Sequence, residues 1–130
     1  DVRAVASTSG DLSDGPGWWA ARTAIETVHA RQQLRFPHAR TWIVAGKEQD
    51  GGVHTLVDIS NAYLLARDEL VGAMNERARR LTAGRCLGRT QRELAHEEGI
   101  TQPAVSQALA TAGAAALVEG FRALRREATT

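Results

Sequence analysis

The period of the apolar positions changes near the middle of the chain. Val2, Ala4 and Ala6 alternate with their neighbours, the pattern of a half-buried strand. Residues 7–14 are mostly small and polar and predict a loop, after which Asp14 or Ser13 can cap a helix whose first turn tolerates Pro16. Trp18, Trp19, Ala21, Ile25 and Val28 continue that helix to about residue 33. Beyond Pro37, residues 40–46 predict a strand, 47–52 a polar, Gly-rich hairpin loop, and 53–56 a partner strand. From residue 59 the spacing becomes helical: Ile59, Ala62, Tyr63, Leu65, Ala66, Leu70, Val71 and Met74 form one stripe, predicting a helix over about 60–75. A further helix over 76–87 turns Ala78, Leu81 and Leu87 inward and stops at Gly88, and a closing helix over 112–124 buries Ala116, Leu117, Phe121 and Leu124. The expected class is α+β: an α/β segment over 1–58, a connecting helix over 59–75, and an all-helical bundle over 76–130.

Residues 90–109, TQRELAHEEGITQPAVSQAL, are the most informative stretch. Thr90 followed by Glu93 is a capping box, in which hydroxyl and carboxylate each satisfy the other residue's backbone N–H. Leu94 and Ala95 face a core, with Ala95 small enough for two helices to cross closely. Gly99, four residues on, suits a left-handed turn, and Ile100 plugs the corner behind it. Thr101 caps a second helix, Pro103 fits its first turn, and Val105 and Leu109 point back inward. An ordinary helical hairpin satisfies some of these choices; their combined spacing is that of a helix-turn-helix.

The outward side of the second helix, Gln102, Ala104, Ser106 and Gln107, is short or amide-bearing and uncharged. Gln can pair bidentately with adenine, Ser can meet a base or a phosphate, and Ala can contact a thymine methyl. A merely solvated face more often carries Glu and Lys. Residues 101–110 are therefore expected to enter the major groove of double-stranded DNA. Phosphate contacts are expected from Arg89 and Arg92 at the start of the first motif helix, with Arg77, Arg79, Arg80 and Arg85 as further candidates. The expected DNA-binding set is Arg89, Thr90, Gln91, Arg92, Thr101, Gln102, Pro103, Ala104, Ser106 and Gln107.

Composition narrows the picture only in places. The 130 residues, 43% hydrophobic, suffice for one domain or two small ones, and no apolar run is long enough to span a membrane. Net charge is +1, divided between −1 over residues 1–61 and +2 over 62–130. The single cysteine, Cys86, excludes an internal disulfide, fits a reducing cytoplasm, and reads as a structural thiol. His29, His38, His54 and His96 share no metal-ligand spacing, and the Gly-rich run near Asp11 and Asp14 lacks the Lys and Ser/Thr of a phosphate-binding loop. Asp11 and Asp14 are better suited to turn and capping duty than to a metal pair. Trp18 and Trp19 are adjacent on one helix and cannot both face a single core, so one is expected to mark a contact with a partner subunit or with a further N-terminal portion. Trp42 is expected as a core or interface anchor.

The helical bundle is similar to the DNA-reading modules of sigma factors and response regulators. More broadly, Asp14-Gly15-Pro16 opening a helix with Ala20-Ala21-Arg22, followed by a strand, a long helix and a Gly88-Arg89-Thr90-Gln91, Gly99-Ile100, Ala104-Val105-Ser106-Gln107 pattern, resembles the SatD family over about residues 1–125. The resemblance implies a bacterial cytoplasmic protein whose α/β domain, similar to ferredoxin- or nucleotide-cyclase-like folds, precedes a DNA-binding-like module and lacks its first elements here. The expectation is a dimeric transcription regulator with no cofactor and no enzymatic activity in this segment. The alternatives are a module that docks on RNA polymerase or a sigma factor, and a nucleotide-binding cyclase-like domain.

Overall fold

The computed structural model describes residues 3–5 and 12–128, with side chains over 15–125. Two strands, β1 (Arg3–Val5) and β2 (Leu12–Asp14), are followed by six helices: α1 (Pro16–Leu34), α2 (Gly51–Ala73), α3 (Glu76–Cys86), α4 (Gln91–Glu98), α5 (Gln102–Thr111) and α6 (Ala114–Ala128). The sheet among the described residues is the antiparallel pairing of β1 with β2, three residues each, with Ala4 opposite Ser13. The protein is thus built of helices, and the expected α+β class is wrong. Among the described residues of the expected α/β segment over 1–58 there is no larger sheet of the kind a ferredoxin- or cyclase-like domain would require. The chain divides into two compact units, 1–69 and 70–130.

The predicted strand over 53–56 lies inside α2. Asp50 sits just ahead and accepts a hydrogen bond from the Val53 amide (2.9 Å), capping a helix where the sequence predicts a hairpin loop over 47–52 and a strand. Val53, Val57, Asn61, Leu64 and Asp68 then follow one another at three- and four-residue steps, and all are at least half-buried. The predicted strand over 40–46 has no regular secondary structure and no neighbouring strand. Several of its backbone groups are bonded by α2 side chains instead. Asp68 Oδ2 accepts from the amides of Arg40 (2.7 Å) and Thr41 (2.8 Å), and Glu69 accepts from that of His38 (3.0 Å). Asn61 accepts from the Ile43 amide and donates to the Ile43 carbonyl, both at 2.8 Å, as the edge of a strand would.

Asp68 and Asn61 are accordingly buried polar residues with their bonding complete. Burial opposes charge on Asp68, but the Arg67 guanidinium and the two backbone amides together hold its carboxyl below the usual aspartate range. Apolar packing is sparse around them. Ala39 is the buried apolar residue among the described residues of this unit, α1 has no buried residue, and Trp18 and Trp19 are both exposed. Trp42 is half-buried beneath the Arg31 guanidinium, 4.0 Å from its ring centre. Gly15 is the N-cap of α1, and the side chains of Ser13 and Asp14, expected to cap it, lie outside the described residues. The Asp11 carboxylate lies outside the described residues.

The second unit has a conventional core. Met74, Ala78, Leu81, Leu94, Ala95, Val105, Leu109 and Ala114 form one buried cluster, with Leu70, Ile100, Ala108 and Ala112 packed against it. Gly84 lets α3 approach α4, since a Cβ there would fall 2.5 Å from Leu94 Cδ2. Three inward assignments fail. Leu87 is 73% exposed because α3 ends at Cys86, and α6 begins two residues later than expected, so Ala114 and Val118 are buried while Ala116 and Leu124 are exposed. Leu117 and Phe121 are half-buried.

Replacing the Asp68 side chain tests the polar docking of residues 38–43. Asp68→Ala leaves the part-buried amides of Arg40 and Thr41 without their acceptor, an expected loss of about 1–3 kcal/mol. Amide hydrogen exchange should accelerate at Arg40 and Thr41, and unchanged exchange there would show that the segment is held some other way.

Candidate nucleic-acid interface

The interface is assembled at the junction of α4 and α5. Thr90 caps α4, its hydroxyl accepting from the Glu93 amide (3.2 Å) while Glu93 accepts from the Thr90 amide (2.7 Å). Gly99 ends the helix in the left-handed region, at φ 64°, where a side chain is strained. The Ile100 amide returns to the Ala95 carbonyl at 3.0 Å, which tucks Ile100 against the core. Thr101 then caps α5 by accepting from the Ala104 amide (3.3 Å), and Pro103 lies in the first turn.

Val105 and Leu109 bury one side of α5 and thereby fix the other. Gln102, Pro103, Ala104, Ser106, Gln107, Ala110 and Thr111 are all exposed. Gln107 is steadied by donating to the Thr111 hydroxyl at 3.2 Å. Between Glu98 and Glu119 the chain carries no charged side chain at all. Of the expected site residues, Thr101, Gln102, Pro103, Ala104, Ser106 and Gln107 lie together on α5 and its cap. Thr90 and Arg92 are exposed at the start of α4, and Gln91 is half-buried beside them.

The acidic residues nearby are occupied. Glu93 serves the capping box, Glu97 pairs with Arg89, and Glu98 binds Arg80 through both oxygens (2.7 and 2.9 Å) with Arg77 at 3.7 Å. The Thr90 backbone amide, then its hydroxyl, hold the Glu93 carboxyl below the usual glutamate range, and the Arg80 guanidinium does the same for Glu98. Among the candidate phosphate-contacting arginines the structure therefore makes a distinction that the sequence does not. Arg89 shares its charge with Glu97. Arg77 and Arg80 share theirs with Glu98, and Arg79 donates to the α2 carbonyls of Val71 and Gly72 at 3.2 Å. Arg92 is exposed and has neither an ion pair nor a side-chain hydrogen bond among the described residues.

Sequence reasoning underrated two features. Arg85, placed only among the further arginines, stands half-buried at the last turn of α3, with its guanidinium on the Arg89 carbonyl. Arg122 of α6, outside the residues that the sequence singles out, pairs with Glu119 at 2.9 Å. Its position at a three-residue step from Glu119 was the available signal. Cys86 is half-buried, and burial pushes its thiol up, with Arg122 opposing in part. Among the described residues no three His, Cys, Asp or Glu side chains come together as metal ligands, and no single helix is long and apolar enough to cross a membrane. Comparison with family models, with curated proteins and with solved structures gave no significant match. The resemblance to the SatD family rests on the quoted residues alone.

Depressed carboxyls give the unit an acid limit. Glu93 and Glu98 titrate lower folded than unfolded, so their contribution is fully present above the ordinary value of 4.5 and is lost as pH falls through the folded values. Thermal unfolding followed by circular dichroism should show a melting temperature that is level near neutrality and declines below about pH 4.5. Thr90→Ala should lower the neutral-pH value, by about 1 kcal/mol of cap energy, and should flatten that decline. An acid limb unchanged by the substitution would remove Glu93 from the explanation.

Proposed function

We propose that α4 and α5 form a helix-turn-helix whose second helix reads the major groove of double-stranded DNA, and that the protein regulates transcription by this means. The observation that supports this reading most is the exposed edge of α5, which is neutral and hydrogen-bonding while every α4 carboxylate beside it has a partner. DNA repels uncompensated acid strongly, so a helix that is to lie between its phosphates must present none.

On this reading the roles divide along α5 and its flanks. Gln102 and Gln107 address adenine edges, Ser106 a base or phosphate oxygen, and Ala104 a thymine methyl. Thr101, Pro103 and the cap geometry set the angle at which α5 enters. Arg92 contacts phosphate, Gln91 and Thr90 support it from the same turn, and Arg89 contributes less because Glu97 holds it. A single module of this kind covers few base pairs, so two copies on a two-fold operator are part of the proposal. The neutral edge of α5 would also suit a protein surface such as RNA polymerase or a sigma factor, and salt dependence separates the two readings. The activity proposed is binding, without catalysis in this segment.

Affinity for genomic DNA fragments should fall about a hundredfold between roughly 50 and 200 mM salt, given on the order of four phosphate contacts. Gln107→Ala should narrow the gap between preferred and random sequence, and Arg92→Ala should weaken all sequences alike. A salt-independent affinity would contradict DNA binding, and the opposite pattern in the two variants would reverse the assigned roles.

A further inference from the structure

The two flanks of α5 differ. On one side a hollow of about 440 Å³ is bordered by Met74, Ala78, Ala104, Gln107 and Thr111, and no charged side chain lines it. On the other side a cleft of about 260 Å³ is bordered by Arg85, Gln91 and Ser106 together with Glu119 and Arg122 of α6. Its floor is apolar, from Leu109, Ala114 and Val118, and Leu109 and Val118 are buried there along with Ala114.

The charges in that cleft do not cancel. Glu119 is taken by Arg122. Arg85 makes one bond, to the backbone carbonyl of Arg89, and has no carboxylate partner among the described residues. A guanidinium carries five N–H donors in a planar fork that matches the oxygens of a phosphate, and most of those of Arg85 remain available. A half-buried cation with an apolar floor behind it is costlier to leave uncompensated than one in open solvent. Hydroxyl and amide donors, Ser106 and Gln91, line the same space. Ser106 also lies on the exposed edge of α5, so whatever occupies the cleft adjoins the surface assigned to the groove.

We propose that this cleft is a seat for one DNA backbone phosphate, with Arg85 as its principal cationic ligand, Gln91 and Ser106 as hydrogen-bond donors, and Arg122 as a second guanidinium at its rim. The inference rests on the DNA-binding reading and adds polarity to it. α5 is gripped through the strand on its Arg85 flank, whereas the Gln107 flank meets the duplex without a cation.

The test compares the full-length chain with Arg85→Ala and Arg85→Lys, by fluorescence anisotropy on one labelled duplex across a salt series. Arg85→Ala should lower affinity for preferred and random duplexes equally and reduce the log–log salt slope by about 0.9, the value of one phosphate contact. Its melting temperature should be unchanged, and Arg85→Lys should restore most of the slope. A wild-type slope in Arg85→Ala overturns the phosphate seat while leaving DNA binding by α5 intact, whereas absence of binding by the wild type overturns both. Calorimetry with inorganic phosphate and no DNA distinguishes the source of the oxyanion. No saturable heat at millimolar phosphate agrees with a backbone phosphate, and tight saturable binding abolished by Arg85→Ala would make the cleft a small-molecule phosphate site instead.

Discussion

Ala95, Gly99 and Ile100 make the joint on which the rest of the second unit turns. A methyl group at 95 leaves room for α5 against α4, a left-handed residue at 99 reverses the chain, and the Ile100 amide bonds back to Ala95 so that the isoleucine side chain caps the core. Val105 and Leu109 are then obliged to face inward, four residues apart on one side of α5. Everything proposed for the opposite side follows from that rotation. A turn of α5 by one residue would bury Ser106 and expose Val105, at the cost of an unpaired hydroxyl and of the apolar contact that fixes the helix.

Electrostatics complete what packing begins. Nine arginines and six glutamates fall within residues 70–130, a modest excess that would say little if the charges were evenly spread. They are not. The glutamates of α4 are engaged by a cap or by arginines, the stretch from Gly99 to Val118 carries no charge, and Arg85 and Arg92, on either side of the α4 start, have no carboxylate partner among the described residues. A nearly neutral protein can in this way offer a polyanion a local surface free of repulsion.

The joint was legible in the sequence because local chemistry determines it. Thr90 with Glu93, Gly99, and Thr101 with Pro103 each state their role within four residues, and the helices they delimit begin and end close to where those residues place them. The first half was misread because a β-like run needs a partner that no local pattern supplies. Residues 40–46 do have the composition of a strand, and their backbone does find acceptors and donors. Asn61 and Asp68 provide them from α2, two polar residues outside the apolar stripe by which the sequence announces that helix. The face that carries them runs backward from Asn61 through Val57 and Val53 at four-residue steps to the Asp50 cap, and it extends α2 over the predicted partner strand. The state of each arginine could not be read from sequence, since Arg89 meets Glu97 and Arg80 meets Glu98 only once the helices are packed.

Backbone amide shifts of the full chain, recorded by NMR while duplex DNA is added, test the central claim most directly. The account expects the largest changes at Thr101, Gln102, Ser106 and Gln107 and at Gln91 and Arg92, with little change on α1 (Pro16–Leu34). Changes confined to α1, or a spectrum indifferent to DNA, would contradict it.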